Sequence, residues 1–350
     1  MHAFDYSFLK TMELPPYFLS LSNLIFTMKG KESAARKEYP SIYESLKQIA
    51  IVQSVKGSNA IEGIVATDKR IKALVLENSV PLDHTEQELK GYQDALAVVH
   101  GNGGVLPFNE DEIRSLHRLM GERAQIFNRG EWKKDDNIVT ETHRDGSVKV
   151  RWNPTPAART PQAMNDLVLA YRAAISDSQI NRLLLIPCVI LDFLCIHPFD
   201  DGNGRVSRLL SLLLLNKADF DITRYVSFEE EINKDKGSYY EALEQSSFGW
   251  HENQNDYLPF MGNFLATLAR CYQELDKRFL ILNGKKMNKA ERIEKTVLAS
   301  FIPVSKSEIQ DLLPDVSITT IEAVLSKMVK AHQIEKLGSF KNARYFKKQK

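Results

Sequence analysis

Two apolar segments separated by a short polar loop constrain the fold of this chain more than any other feature. The first, residues 181–196, contains a nearly continuous apolar run, and the second, residues 209–215, is apolar except for one serine. Segments this apolar are predicted to form buried helices. The loop between them, residues 197–208, holds a histidine, two aspartates, two glycines, an asparagine and two arginines. Such a loop contributes little to a core, so it predicts an anion-binding site at the helix junction.

The glycines and arginines of this loop fit a phosphate site. Gly202 and Gly204 allow the backbone to turn through positive φ and to bring N–H groups close to a ligand. The second helix is predicted to begin near Gly204, so its free N–H groups and its dipole face the same point. Arg205 and Arg208 are three residues apart and can share a helix face. Their guanidinium groups fit phosphate oxygens better than lysine would.

Asp201 and His197 add a metal ligand and a base to this site. A carboxylate inside a phosphate site makes sense chiefly as a ligand for Mg²⁺, which typically takes one or two carboxylates plus substrate phosphates. An imidazole with a pKa near neutrality can remove a proton from an attacking hydroxyl. Together these residues predict in-line displacement at a nucleotide phosphate.

The ordered string of residues 197–208 resembles the signature of the Fic family, which reads His-Pro-Phe, any residue, Asp or Glu, Gly-Asn-Gly-Arg, two residues, Arg. The resemblance covers at least residues 55–275 and implies an AMPylator, which transfers AMP from ATP to a Ser, Thr or Tyr hydroxyl of a protein and releases pyrophosphate. The roles that it implies are the general base for His197, the Mg²⁺ ligand for Asp201, the anion hole for Gly202, Asn203 and Gly204 with Arg205 beside them, and the γ-phosphate contact for Arg208.

A second motif, Ser58-Asn59-Ala60-Ile61-Glu62-Gly63, resembles the inhibitory motif of the same family. Ser58 and Glu62 are four residues apart and share a face if the stretch is helical. The resemblance implies that Glu62 pairs with Arg208 and prevents ATP from binding with its γ-phosphate correctly placed. One carboxylate then competes with phosphate for one guanidinium.

A hairpin and a tyrosine pair complete the predicted site. Two β-rich stretches flank Asp145-Gly146, which predicts a hairpin. It resembles the family's flap, residues 137–152 here, on which a protein substrate docks by strand addition. Residues 239–243 resemble the family's adenine-side helix, which implies that a tyrosine lines the nucleoside pocket. Because adjacent tyrosines cannot share one helix face, Tyr240 is predicted for that role and Tyr239 for core packing. Two glutamates farther upstream, Glu86 and Glu88, are interpreted as a solvated helix face rather than as metal ligands.

The fold class predicted is mainly α: a Fic (Fido) helical domain with a β-hairpin flap, followed by a C-terminal winged-helix-like domain. The predicted boundaries are 1–105 for an N-terminal helical region with the inhibitory motif, 106–282 for the catalytic core and 283–350 for the C-terminal domain. Helical periodicity predicts helices over residues 41–55, 87–99, 109–120, 161–175, 181–196 and 237–246.

The last part of the chain is basic. Residues 285–350 contain 14 Lys and Arg against 7 Asp and Glu. Ser305 and Glu308 predict a capping box at the start of a helix, and a longer helix is predicted from Ser317. If this domain binds DNA, that helix would enter the major groove, with Lys341 and Arg344 on phosphates. Binding of a protein, or dimerisation, stays open beside it.

Composition excludes several classes of protein. A formal net charge of +1 predicts no general attraction to nucleic acid or membranes. The N-terminus lacks the pattern of a signal peptide, and no apolar run reaches the roughly 18 to 20 residues of a membrane span. Three cysteines, two of them in residues 181–196, are interpreted as reduced core thiols. A cytoplasmic protein is therefore expected.

Two other functions stay open at this point. One is different chemistry at the same site: removal of AMP with Glu62 positioning a water molecule, or another nucleotidyl transfer. The other is a regulatory protein that binds DNA or a partner through its C-terminal domain. Self-modification and a homodimer are open as well.

Overall fold

The computed structural model describes residues 2–102, 104–126, 128–142, 148–282, 288–299, 304–313, 315–338 and 343–347. The chain divides into two compact units, Met1–Ala35 with Ala50–Tyr272, and Arg36–Ile49 with Gln273–Lys350. The described helices are α1 (Pro16–Glu38), α2 (Pro40–Ile61), α3 (Asp68–Leu76), α4 (His84–Asn102), α5 (Glu110–Glu122), α6 (Thr160–Ser176), α7 (Arg182–Ile196), α8 (Asn203–Lys217), α9 (Phe228–Lys234), α10 (Lys236–Ser247), α11 (Leu258–Leu282), α12 (Lys289–Ala299), α13 (Lys306–Leu312) and α14 (Ile318–Lys330). The described strands are β1 (Val139–Thr142), β2 (Val148–Trp152), β3 (Val304–Ser305), β4 (Ile334–Leu337) and β5 (Arg344–Lys347).

Helices α7 and α8 form the centre of the first unit. The side chain of Asn181 accepts a hydrogen bond from the backbone N–H of Leu183 at 2.9 Å and so caps the start of α7. Every residue of α7 after Arg182 is buried, as is almost all of α8. Both helices are therefore surrounded by other elements, and the apolar segments predicted to be buried helices are confirmed as such.

Helices α4, α5 and α6 pack around this pair. The apolar face of α5 (Ile113, Leu116 and Met120) is fully buried, while its first turn is acidic, as suits a helix N-terminus. Helix α4 approaches α5 closely at Gly91, where an added Cβ would overlap the carbonyl oxygen of Met120. This close approach fixes the spacing of the two helices next to the loop that joins α7 to α8.

Replacing Gly91 with alanine is expected to lower the free energy of unfolding of the first unit by about 3 kcal/mol, because two backbones must separate to admit the methyl group. The matched control is Gly101→Ala, in the same helix, where a Cβ would meet nothing within 4 Å. That change is expected to raise stability by about 0.5 kcal/mol through helix propensity. Urea unfolding monitored by tryptophan fluorescence checks both, and equal midpoints for the two variants would contradict the packing argument.

The predicted hairpin is present as strands β1 and β2, which pair antiparallel with Thr140 opposite Val150. The register shifts between Val139 and Thr140, as at a β-bulge. The Asp145-Gly146 turn on which the prediction rested lies outside the described residues. The mainly helical fold with a small hairpin is therefore confirmed.

The second unit has its own apolar core, built from α12, α13, α14 and a sheet in the strand order β3-β5-β4. Ser305 and Glu308 form the predicted capping box at the start of α13. Ser317 caps α14, and strands β3 and β4 both pair antiparallel with β5. Lys341 lies outside the described residues. The winged-helix assignment and the three domain boundaries stay predictions.

The sequence also predicted several helices and buried groups correctly. Each of the six predicted helices is present, with longer ends in most cases, and α2 continues to Ile61 rather than ending near Val55. All three cysteines are buried and unpaired. Every helix among the described residues is too short or too polar to cross a membrane.

Candidate active site

The loop between α7 and α8 is shaped by two residues with positive φ and by one side-chain amide. His197 ends α7 with φ of 51°, and Gly202 precedes α8 with φ of 80°. The Asn203 side chain accepts from the backbone N–H of Phe199 at 2.9 Å and donates to its carbonyl oxygen at 2.8 Å. The side-chain amide of Asn203 is therefore used to close the loop. The backbone N–H of Asn203, in the first turn of α8, is the group that can bind an anion.

His117 of α5 packs against this loop and forms a hydrogen bond with its backbone. Its ring stacks on Phe199 with centroids 3.8 Å apart and an interplanar angle of 11°. The backbone N–H of Gly130 donates to Nδ1 at 2.8 Å, so Nε2 carries the proton and donates to the carbonyl oxygen of Asp201 at 3.0 Å. Burial lowers the pKa of His117 to about 4, which keeps the ring in this neutral form. The role of His117 was not predicted from the sequence, although a histidine within the apolar face of α5 was a signal.

Lys133 and Asn137 hold the same loop from the side of the hairpin. The Lys133 side chain is 3% exposed and donates to Asn137 Oδ1 at 2.8 Å and to the carbonyl oxygen of Ile196 at 3.3 Å. The Lys133 backbone N–H donates to Pro198, and Asn137 Nδ2 donates to the carbonyl oxygen of Phe199 at 3.1 Å. Residues 196–199 are thus fixed by Lys133, which lies in no predicted motif, and by Asn137, the first residue of the predicted flap.

Arg205 is buried between two carboxylates. Its guanidinium is 2% exposed, with Nη1 at 2.5 Å from Glu88 Oε2 and Nη2 at 3.3 Å from Asp201 Oδ2. Asp201 itself is largely exposed and also accepts from the backbone N–H of Gly202 at 2.6 Å. The arginine predicted to lie beside a phosphate is therefore in contact with the predicted metal ligand and with a residue of α4.

The interpretation of Glu86 and Glu88 as a solvated helix face is wrong. Glu86 is 5% exposed and forms a two-point ion pair with Arg70 of α3, at 2.7 Å to Nε and 2.6 Å to Nη2. The carboxylate of Glu88 is only 13% exposed and pairs with Arg205. Both side chains point inward because their arginine partners, on other elements, compensate their buried charges.

Arg208 contacts both predicted inhibitory residues. Its Nε donates to Ser58 Oγ at 2.8 Å, and its Nη2 donates to the Ser58 carbonyl oxygen at 2.9 Å and to Glu62 Oε1 at 2.7 Å. Ser58 lies in the last turn of α2, and Glu62 follows the helix directly. At the start of α8, a Cβ on Gly204 would overlap Glu62 Oε1, so a larger residue there would displace the Glu62 carboxylate. Ser58, Glu62, Gly204 and Arg208 therefore meet at one point.

A cavity of about 460 Å³ opens beside this point. Its walls are formed by Glu62, Val139, Thr140, Arg151, Trp152, Leu194, Cys195, His197, Gly204, Arg208, Lys236, Tyr239, Tyr240, Leu243, Glu244 and Ser247. Both tyrosines of the pair line it, although Tyr239 is only 6% exposed and also packs edge-on against Phe260. The cavity thus joins the predicted base, the predicted inhibitory glutamate, the start of α8 and the hairpin.

The imidazole of His197 is neutral in this environment. Burial lowers its pKa, the positive charge of Lys133 lowers it further, and the resulting value is about 4. Near pH 7 the ring therefore has a free lone pair and can accept a proton.

The chemistry of the donors around Asp201 fits Mg²⁺ that takes most of its ligands from a substrate. Within the described ranges no group of three or more His, Cys, Asp and Glu side chains could hold a metal ion by itself. One exposed carboxylate at the N-terminus of a helix is what Mg²⁺ uses when phosphate oxygens and water complete its shell. Asp201 could thus hold the ion only together with a bound phosphate.

The comparisons with known proteins agree with this site. Residues 107–215 match the model of the Fic/DOC family, and this match covers the whole polar loop. The matched residues contain the hairpin and the loop between α7 and α8. The chain is a Fic domain protein.

Relatives in sequence and in structure carry the same domain. The chain is 28% identical over 243 residues, 66% of its length and 49% of the relative, to a protein of Nematostella vectensis named Protein adenylyltransferase Fic. It therefore spans about half the length of that relative. A Fic family protein from Desulfovibrio desulfuricans G20 shares the fold at 19% identity, with a TM-score of 0.60 over 97% of this chain and 98% of that one. A Fic domain containing signaling protein from Bacteroides thetaiotaomicron VPI-5482 does so at 22% identity, with a TM-score of 0.58 over 71% and 94%.

Proposed function

We propose that this protein is a protein adenylyltransferase that moves AMP from ATP to a Ser, Thr or Tyr hydroxyl of a protein and is held inactive by Glu62. The observation that carries the proposal is that His197, the start of α8 at Gly204 and the guanidinium of Arg208 line a single cavity of about 460 Å³. A neutral base, a helix N-terminus and a buried cation are the groups that transfer at a nucleotide phosphate requires.

In the proposed reaction, the target hydroxyl oxygen attacks the α-phosphorus, and the bond from the α-phosphorus to the bridging oxygen of pyrophosphate breaks. His197 takes the hydroxyl proton, for which its low pKa keeps it available. The backbone N–H groups at the start of α8 bind the α- and β-phosphates, and Arg208 binds the γ-phosphate. Mg²⁺, when bound, neutralises phosphate charge, and Asp201 is the residue that would hold it.

Inhibition follows from competition for Arg208. The guanidinium already donates to Glu62 and Ser58, so the γ-phosphate has to displace Glu62 to reach it. The docking of α2 supports this view: an added Cβ at Gly57 would be only 2.8 Å from the backbone of Glu230, so the two segments touch. Ser54 Oγ of α2 also donates to the buried Glu229 at 2.9 Å. A helix held this firmly keeps Glu62 in place until a signal moves it.

The target segment is proposed to dock on the hairpin. Val139 and Thr140 of β1 line the cavity, so a strand added beside the hairpin would pass over the phosphates. Strand β2 is held against α10 by Glu244, which pairs with Lys149 and with Arg151 at 2.9 Å each. These two ion pairs hold β2 against α10, so the hairpin is already in place as the strand on which a target segment would dock.

Removal of AMP is a second candidate, because the carboxylate of Glu62 lines the same cavity as His197. In that reaction Glu62 would position a water molecule that attacks the phosphorus of a modified side chain, and AMP would be released. The two directions are separated by the Glu62→Gly variant, which should gain transfer and lose removal.

The reaction class is tested with ATP labelled in either its α- or its γ-phosphate. The Glu62→Gly protein, mixed with Mg²⁺ and a cell lysate, is expected to leave covalent label on protein only from the α-labelled nucleotide. Label from the γ-phosphate would indicate phosphoryl transfer instead. If neither nucleotide labels the protein itself or any lysate protein, the proposal is wrong.

A further inference from the structure

Helix α4 carries two glutamates that pair with different arginines. Glu86 binds Arg70 through both carboxylate oxygens and also accepts from the backbone N–H of Leu82 at 2.8 Å. This pair joins α3 to α4. Glu88 instead reaches Arg205, the first arginine of the loop signature, 117 positions along the chain. Helix α4 thus forms one ion pair with α3 and, two residues away, a second pair whose arginine also contacts Asp201, the predicted metal ligand.

Arg205 contacts its two carboxylate partners at unequal distances. Its guanidinium contacts Glu88 at 2.5 Å and Asp201 at 3.3 Å, while its Nε has no hydrogen-bond partner among the described residues. A buried guanidinium requires at least one carboxylate, because an uncompensated charge is strongly unfavourable there. Glu88 supplies that partner at the shorter distance, so Asp201 is held only weakly.

We propose that Glu88 is a positioning residue that keeps Arg205 paired and thereby leaves the carboxylate of Asp201 available to a divalent cation. The proposal rests on the function proposed above, in which Asp201 holds Mg²⁺. Without the charge of Glu88, the buried guanidinium has Asp201 as its remaining anionic contact. The pair between Arg205 and Asp201 then strengthens, and the cation must displace it before it can bind.

Loss of Glu88 should have a second effect, of opposite sign, on the binding of nucleotide without metal. An arginine released from Glu88 lies at the positive end of α8, where phosphate oxygens bind. Its freed donors add to the attraction for a nucleotide that carries no metal. Loss of Glu88 should therefore raise the Mg²⁺ requirement while strengthening metal-free nucleotide binding. A variant that merely damages the site would instead weaken nucleotide binding both with and without Mg²⁺.

The test compares Glu88→Gln with the matched control Glu86→Gln, both in the Glu62→Gly protein, the form in which transfer is assayed. Fluorescent ADP is titrated in the presence of EDTA, and the Mg²⁺ concentration that half-saturates binding is then measured. Glu88→Gln is expected to raise the half-saturating Mg²⁺ about tenfold and to tighten metal-free ADP about threefold. Glu86→Gln, which breaks the more extensive ion pair, is expected to leave both values within twofold.

A further variant, Glu88→Asp, retains the charge and guards against misfolding of the glutamine form; it is expected to hold the Mg²⁺ requirement within about threefold of the parent. The inference is overturned if neither Glu88 variant moves that requirement, if metal-free binding falls in parallel with it, or if Glu86→Gln moves it equally. A Glu62→Gly parent that binds no nucleotide at any Mg²⁺ concentration would overturn the proposed function and this inference together.

Discussion

Replacing Glu62 with glycine is expected to tighten the binding of MgATP by about ten- to a hundredfold. Glu62 Oε1 accepts from Arg208 Nη2 at 2.7 Å, and the arginine is 2% exposed. A net contribution of about 1.5–3 kcal/mol is typical of a hydrogen bond to a charged group, and each 1.4 kcal/mol is about tenfold in affinity. Calorimetric titration with a non-transferable ATP analogue measures the change, and labelling by α-labelled ATP should rise with it.

ADP and two milder variants serve as controls for this prediction. ADP lacks the γ-phosphate that competes for Arg208, so its affinity is expected to change much less than that of ATP. Glu62→Gln keeps an acceptor but loses the charge, and Ser58→Ala removes only the hydroxyl that accepts from Arg208 Nε. Effects should therefore fall in the order Glu62→Gly, Glu62→Gln, Ser58→Ala. Equal MgATP affinity for Glu62→Gly and the unaltered protein would disprove competition at Arg208.

Replacing His197 with asparagine is expected to lower the rate of transfer about 10²- to 10⁴-fold, the range lost when a general base is removed. Asparagine is chosen because residue 197 has φ of 51°, a left-handed conformation that asparagine adopts more readily than alanine. Single-turnover labelling in the Glu62→Gly background checks the rate. MgATP affinity should stay within about threefold, since His197 is not proposed to bind the phosphates. A rate within tenfold of the parent would remove His197 as the base.

The low pKa of His197 also predicts the pH profile. The base must be neutral to accept a proton, and it becomes protonated only as the pH falls toward about 4. The ratio kcat/KM, which reports the free enzyme, should therefore stay flat from pH 8 to about pH 5.5 and decline below it. An acid limb centred near 6.5, the unperturbed histidine value, would show that the ring is solvated rather than buried.

Local sequence patterns predicted the centre of the fold well. The apolar segments before and after the loop are buried as α7 and α8, and Gly202 has the positive φ expected of it, whereas Gly204 does not and lies in the first turn of α8. Ser305 and Glu308 form the capping box that their spacing predicts. Each of these features depends on residues a few positions apart, so hydrophobic periodicity and capping chemistry suffice to identify it.

Contacts between segments distant in the sequence were harder to predict. Glu62 and Arg208 are 146 positions apart, and their pairing was predicted from the resemblance to a family rather than from any spacing. The pairing of Glu88 with Arg205 was missed, because two glutamates on a helix look the same whether they face solvent or a buried arginine. The roles of His117 and Lys133 were not predicted either, because both donate to backbone carbonyl groups of the loop, and residue types do not reveal such contacts.

The sequence by itself determined that two buried helices meet at a glycine-containing loop bearing a base, a carboxylate and two arginines, because apolar periodicity and the conformational freedom of glycine are local properties. Only the tertiary structure decided which acid faces which arginine. Burial makes a charged side chain costly unless an opposite charge lies next to it, and the position of that charge depends on how α2, α4 and α8 pack rather than on the order of residues. The pairs of Glu62 with Arg208 and of Glu88 with Arg205 are therefore properties of the fold.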